Sequence, residues 1–273
     1  MKKHILVTLF TTLLLVTSCD SGHLDRKEDE APKEDEPQMV EGRKASEIEG
    51  NELKLLPKYV VNKLSSFESY KSVTKGSTIA TVLFIKTTQP IDAETIKGKE
   101  YSYYRNESRS DIVSTAHLAY YHNDEAVYKI NGEETYHTLP LEEYLNIYGT
   151  YPFENSLEGY SISYDAIKEV KRVESDVDYK FQVTFDAYKS TNNVRIQMKV
   201  SGGLDDYPSF SGIKMTITVK EDFTPVTLYL EAAYTAKKIV ESSCNQYYTV
   251  TYSNYNEDIE IENLEEAKEH FTK

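Results

Sequence analysis

The sequence predicts a mainly β protein: a single antiparallel sheet, curled into an open half-barrel and covered by a few short helices. Three observations lead there. Apolar and polar residues alternate along successive segments of the second half, the pattern of strands with one buried and one wet face. Tyrosine, a strand-favouring residue, occurs 23 times, beside nine phenylalanines and no tryptophan. Helical spacing is confined to three short stretches, too few to cover the apolar faces of about ten strands, so the sheet has to curl on itself or fold into a sandwich.

In chain order, Leu53, Leu56, Val60, Leu64 and Phe67 recur at three- and four-residue steps and predict an amphipathic helix, which Pro57 splits or kinks. Strands are expected at 77–88, 99–105, 110–122, 125–131 and 133–138, with Asn131-Gly132 as a tight hairpin turn. Pro140 followed by Leu-Glu-Glu-Tyr-Leu predicts a short helix to Tyr148. No assignment follows for 149–168. Strict alternation then marks four strands: Phe181, Val183 and Phe185; Val194, Ile196, Met198 and Val200; Ile213, Met215, Ile217 and Val219; and Val226, Leu228 and Leu230. Lys220 to Pro225 reads as a hairpin loop, and a late strand is expected at 246–254. A terminal helix should span Asn263 to Phe271, with Asn263 as N-cap and Glu266 three residues on. No internal repeat is visible.

The first residues carry an export signal. Lys2 and Lys3 precede an apolar stretch from Ile5 to Val16, and small residues close it. The stretch is shorter than the roughly 20 apolar residues a spanning helix needs. Val16-Thr17-Ser18-Cys19 resembles a bacterial lipobox. That resemblance implies diacylglyceryl transfer to the Cys19 sulfur and cleavage before it, since a thiolate is the nucleophile able to take the lipid. Three segments follow: 1–18 as signal peptide, 19–50 as lipidated cysteine plus tether, and 51–273 as a single β-rich domain. Residues 20–50 hold eleven Asp/Glu, five Lys/Arg and no aromatic residue, so the segment is expected to be disordered. As a flexible chain it would span about 30 Å. The expected location is the bacterial cell membrane, facing outward or into the periplasm.

Composition bounds the partners. Formal charge is −14, and loss of the two leader lysines deepens it. Such a surface repels phosphate backbones and anionic lipid, so no nucleic acid is expected and the Cys19 lipid has to supply the membrane contact. With Cys19 acylated, Cys244 is a lone thiol in a polar setting without an adjacent base.

No catalytic or cofactor motif emerges, and no enzyme is expected. Ser72-Val-Thr-Lys75 and Ser211-Gly-Ile-Lys214 match S-x-x-K but lack the companion motifs of an acylation site. His117, His122 and His137 lack a completing cysteine or carboxylate, and a five-residue step puts the first two on opposite strand faces. Asp205-Asp206 and Asp176-x-Asp178 read as solvated turn residues rather than a calcium loop. The doublets Tyr103-Tyr104, Tyr120-Tyr121 and Tyr247-Tyr248 either form a stacking surface or divide their rings between core and solvent.

The lipobox, the acidic tether, one amphipathic helix ahead of a long meander, and the closing run Tyr252-Ser253-Asn254-Tyr255-Asn256 resemble the LolA/LolB and LprG/LppX-like lipoproteins. The hairpin from Ile213 to Leu230 is similar to their late strands. The resemblance spans residues 52–262 and implies an unclosed β-barrel carrying a lipid or other apolar molecule under helical lids. It transfers no ligand-binding residue, and Glu260-Ile261-Glu262-Asn263 stands where those families often have a proline. The leading expectation is therefore a lipid-anchored binding protein. Its candidate apolar ligand face comprises Phe181, Val183, Ile196, Met198, Ile213, Met215, Ile217, Leu228 and Leu230. The alternative is a β-sandwich module that binds protein or glycan through exposed tyrosines.

Anchoring is tested by metabolic labelling: the parent chain should incorporate labelled fatty acid and fractionate with membranes, and Cys19→Ala should abolish both.

Overall fold

The computed structural model describes residues 36–109, 114–148, 159–202 and 204–272. The leader, Cys19 and the first half of the expected tether lie outside these. Eleven strands form one antiparallel sheet: β1 (Tyr70–Val82), β2 (Ile85–Lys97), β3 (Ser102–Arg109), β4 (Ser114–His122), β5 (Glu125–Ile130), β6 (His137–Pro140), β7 (Ile167–Val173), β8 (Tyr179–Phe185), β9 (Ser209–Val219), β10 (Pro225–Lys238) and β11 (Val240–Ser253). Their order is β6-β5-β4-β3-β2-β1-β11-β10-β9-β8-β7, so among the described residues β6 and β7 are edges paired on one side only and the sheet stays open. The mainly β, unclosed architecture expected from the sequence is the one observed.

Two wings meet at the centre. β1 to β6 form one meander and β7 to β11 the other, and β1 joins β11 from Lys71↔Ser253 to Thr81↔Ser243. Gly76 lies in that seam. A Cβ there would stand 2.0 Å from the Tyr247 carbonyl oxygen, so only glycine permits the approach of β11. Irregular pairing at Pro225/Thr227, Ala233/Tyr234 and Ile167/Glu169 bends the second wing.

Short helices cover the sheet. A 3-10 turn (Gly50–Leu55) leads into α1 (Leu56–Ser65), with Pro57 in the first turn, where its missing N–H costs nothing. Pro57 thus marks the split of the predicted helix. Leu55, Leu56, Val60 and Leu64 enter the main core with Val170, Phe181, Ile217 and Leu228. α2 (Leu141–Tyr148) lies over β5 and β6 and buries Tyr144. On the opposite face Ile96, Tyr103, Tyr120, Val127 and Ala267 form a separate cluster. It is capped by the C-terminal segment, and the Tyr120 hydroxyl donates to the Glu262 carbonyl at 2.8 Å. From β3 to β5 the first wing is therefore covered on both faces.

Several elements depart from the sequence reading. Residues 192–202 form a helix, α3, not the strand expected around 194–200. Val194 and Met198 alternate as strand residues do, yet they are also four apart, and as a helix both are buried. The expected strand 77–88 is instead the end of β1, a turn at Leu83-Phe84, and the start of β2. The sequence hides that turn, because neither residue is a usual turn former although both have positive φ (45° and 71°). Asn131 and Gly132 do take positive φ, but β6 starts only at His137. The sequence gives no pattern for β7, because only Ile167 and Val170 of this edge strand are buried. The terminal helix, α4, is limited to Leu264–Lys268, and Asn263 makes no side-chain cap bond.

The packed body also begins before the expected boundary at 51. Ala45 is fully buried and Ile48 is 2 % exposed in the main core. The Ala45 N–H donates to the Glu221 carbonyl at 2.8 Å, and Arg172 donates to the Ala45 carbonyl at 2.7 Å. Two apolar residues spaced for one contact, in an otherwise polar stretch, give little compositional signal. Ile48→Ala should lower the unfolding free energy by about 2–5 kcal/mol, measured as the urea midpoint; a tether residue would give no change.

Candidate functional site

Strand pairing determines which residues share the inner face. Gln246, Thr78 and Gln89 lie side by side across β11, β1 and β2. Asn106 of β3 opposes Ala93 of β2 and His117 of β4 on the same face. This stripe of polar residues runs between two apolar clusters. One is the main core, beneath the 3-10 turn and α1. The other contains Tyr104, Ala119, Tyr121, Ala126, Tyr128 and Tyr144 under α2.

The stripe is buried and incompletely bonded. Thr78, Gln89 and Asn106 are 1 %, 4 % and 5 % exposed. Thr78 Oγ1, both amide atoms of Gln89 and Asn106 Oδ1 have no hydrogen-bond partner. A buried polar atom without a partner costs about 1–3 kcal/mol, and each such case in a folded protein calls for an explanation. Together the orphaned atoms can offer and accept hydrogen bonds, and all are uncharged. Ser108, nearby on β3, is satisfied by donating to the Pro90 carbonyl at 2.7 Å.

His117 closes the stripe on the α2 side. It is ringed by Tyr104, Tyr128, Tyr144 and Tyr148, with ring centroids 5.1–6.3 Å away. The Tyr121 hydroxyl donates to Tyr144 at 3.3 Å, and the Tyr144 hydroxyl lies 2.8 Å from His117 Nε2. A neutral imidazole accepts that proton, and burial keeps His117 neutral by pushing its pKa down to about 4.

The residues nominated as a ligand face sit differently. Phe181, Val183, Met198, Ile213, Met215, Ile217, Leu228 and Leu230 are all buried in the main core, packed with the 3-10 turn and α1. Ile196 is half-buried on α3, because the helix turns it away from Val194 and Met198. The cover over this core is clamped by polar contacts. Arg43 donates to both Glu52 carboxylate oxygens, at 2.9 and 2.6 Å, and holds that carboxyl below its usual range. The Tyr59 hydroxyl donates to Glu52 at 3.1 Å and accepts the Val40 N–H at 2.9 Å. Its ring stacks on Phe223 at 4.6 Å. A cleft of 760 Å³ opens beside this clamp, lined by Met39, Val40, Tyr59, Asn62 and Phe223 among others.

The chain resembles two mycobacterial proteins and a LolA superfamily protein. LprF from Mycobacterium bovis is 13% identical, covers 78% of this chain and 97% of its own, and gives a TM-score of 0.43. The lipoprotein LppX from Mycobacterium tuberculosis is 10% identical, with coverages of 77% and 98% and a TM-score of 0.40. The LolA superfamily protein from Nitrosomonas europaea is 9% identical, with coverages of 78% and 96% and a TM-score of 0.28. No known family description matches the chain, and neither does any curated protein. No helix among the described residues is long and apolar enough to cross a membrane.

The remaining sequence candidates are dispersed. His117 is buried, His122 stacks on Tyr101 at 4.3 Å, and His137 pairs with Glu133 at 2.8 Å. Among the described residues no three His, Cys, Asp or Glu side chains are placed to hold a metal ion. Cys244 is buried, and burial pushes its thiol up, away from the thiolate. Tyr103 and Tyr120 bury their rings on one face, Tyr104 and Tyr121 on the other, so these doublets present no stacking surface. Tyr248 is buried and Tyr247 half-buried. Sequence reasoning missed the polar stripe because Thr78 and Gln89 are ordinary strand-surface residues until the pairing turns them inward.

His117 ties stability to pH. The unfolded chain binds the imidazole proton near pH 6.5 and the folded chain only near about 4. Its contribution is thus complete above pH 6.5 and declines by about 3 kcal/mol as pH falls toward 4. Urea titrations of the parent chain and His117→Asn should converge in stability over that window; parallel curves would show that His117 does not titrate there.

Proposed function

We propose that this chain is an exported, membrane-anchored lipoprotein that binds an amphipathic, lipid-like ligand on the inner face of its open sheet. The orphaned polar atoms of Thr78, Gln89 and Asn106 carry the reading. A protein interior does not retain several unpaired polar groups on one face without a partner, and a neutral hydroxyl, ester or amide on a ligand has the right capacity. The apolar part of such a ligand lies against the main core, with Phe181, Val183, Met215 and Leu230 as its wall once the cover of α1 shifts. The Arg43–Glu52–Tyr59 clamp holds that cover in its closed position. Open edges at β6 and β7 leave the sheet free to widen, which a closed barrel resists. The leader and Cys19 supply export and anchoring, as the lipobox resemblance implies.

The test separates binding from stability. Gln89→Leu removes two orphaned atoms and should stabilise the ligand-free protein, by about 1–3 kcal/mol in chemical denaturation. It should also weaken saturable uptake of a fluorescent monoacylglycerol. A Gln89→Leu protein that is less stable yet binds the probe normally would sink the proposal, because the amide would then serve the fold alone.

A further inference from the structure

The two hairpins that flank the central seam end in exposed apolar turns. At the β1–β2 turn Leu83, Phe84 and Ile85 are 72 %, 101 % and 56 % exposed. At the β10–β11 turn Ile239 and Val240 are 68 % and 36 % exposed. The tips are neighbours: Thr81 of β1 pairs with Ser243 of β11, and both chains reverse within a few residues beyond that pair.

These exposed side chains sit on a disfavoured backbone conformation. Leu83, Phe84 and Ile239 all have positive φ (45°, 71° and 68°), a region that favours Gly and Asn and penalises a β-branched residue most. The second tip is braced in that conformation. Asp205 accepts the Ile239 N–H at 2.8 Å, and its own N–H donates to the Lys237 carbonyl at 2.8 Å. A strained turn that spends its exposed positions on Leu, Phe and Ile, where Asn-Gly would fit without strain, gains nothing in folding.

We infer that the paired tips insert into the interfacial layer of a lipid bilayer, giving the protein a membrane contact separate from the Cys19 lipid. Five apolar side chains on two narrow turns are far fewer than the roughly 20–30 residues a side of a stable protein interface. They do match shallow insertion, about 5–10 Å deep, at the headgroup boundary. Local charge permits the approach. Lys86, Lys237 and Lys238 are offset by Asp205, Asp206 and Glu241, so the tip region is neutral in a chain of charge −14. Elsewhere the acidic surface is repelled by anionic headgroups; here it is not. The tips lie at the far end of β10 from the Glu221 turn, where Ala45 docks the N-terminal segment. The fourteen residues of β10 put about 45 Å between the two ends, so the tips contact a bilayer that the docked end does not. The inference is independent of the ligand proposal and concerns none of its residues.

The test uses the unacylated chain from Asp20 onward, which contains every described element, and vesicles of phosphatidylcholine with a minor share of phosphatidylglycerol. The parent chain should co-float with vesicles, and raising salt from about 0.1 M to about 0.5 M should change the bound fraction little. Leu83→Asn, Phe84→Gly and Ile239→Asn together should reduce binding about tenfold or more while the melting temperature holds or rises, because the new residues suit positive φ. The chain contains no tryptophan, so Phe84→Trp supplies a unique fluorophore whose emission should shift to the blue on adding vesicles. Absence of co-flotation by the parent chain, equal binding by the triple variant, or an unshifted Phe84→Trp emission would each overturn the inference. So would tip-dependent dimerisation in sedimentation, which would make the partner a second copy.

Discussion

The structure depends on one non-local pairing, the seam between the first strand and the last. From Lys71↔Ser253 to Thr81↔Ser243, β1 and β11 join segments that lie nearly a whole domain apart in sequence. Without that seam there would be two separate meanders, each with one more unpaired edge. With it, the wings become one sheet whose middle is the polar stripe and whose two central hairpins end side by side. Gly76 permits the close approach that the seam needs. Such a long-range closure is entropically costly and forms slowly, so the local hairpins on either side are expected to precede it in folding.

The two wings solve burial differently. The second wing covers its inner face with the 3-10 turn, α1 and the docked segment around Ala45 and Ile48, and keeps a polar outer face of Thr, Lys and Glu. The first wing is sandwiched over β3 to β5, with α2 inside and the C-terminal segment outside, so Tyr103 and Tyr104 are both buried although they point opposite ways. Tyrosine suits this arrangement because its ring fills the layer while its hydroxyl reaches a carbonyl or another hydroxyl, as Tyr120 and Tyr121 do. Across β1 to β3, between the two covers, the buried polar atoms of Thr78, Gln89 and Asn106 have no partner, as do the Tyr164 and Tyr234 hydroxyls within the main core.

Much of the fold was legible because it is local. Alternation located β8, β9 and β10, and Pro140 with its following glutamates located α2. What failed was ambiguous or non-local. Val194 and Met198 satisfy both a strand and a helix period, and only the packed surface of the second wing decides between them. Leu83-Phe84 turns the chain without any turn-forming residue. The docked segment at Ala45 hides within an acidic stretch. The site was the least legible part. Alternation makes the shared face of the apolar residues of β8 to β10 legible, but which face is shared by Thr78, Gln89 and Asn106 depends on the register of three strand pairs.

In the proposed function the polar stripe meets the polar end of a bound amphiphile. A photoactivatable monoacylglycerol, with its reactive group beside the glycerol, tests this most directly when incubated with the protein, irradiated and mapped by peptide mass spectrometry. Adducts are expected on the β1–β3 peptides that carry Thr78, Gln89 and Asn106. Adducts confined to the hairpin tips at Phe84 and Ile239, or no adducts at all, would contradict it.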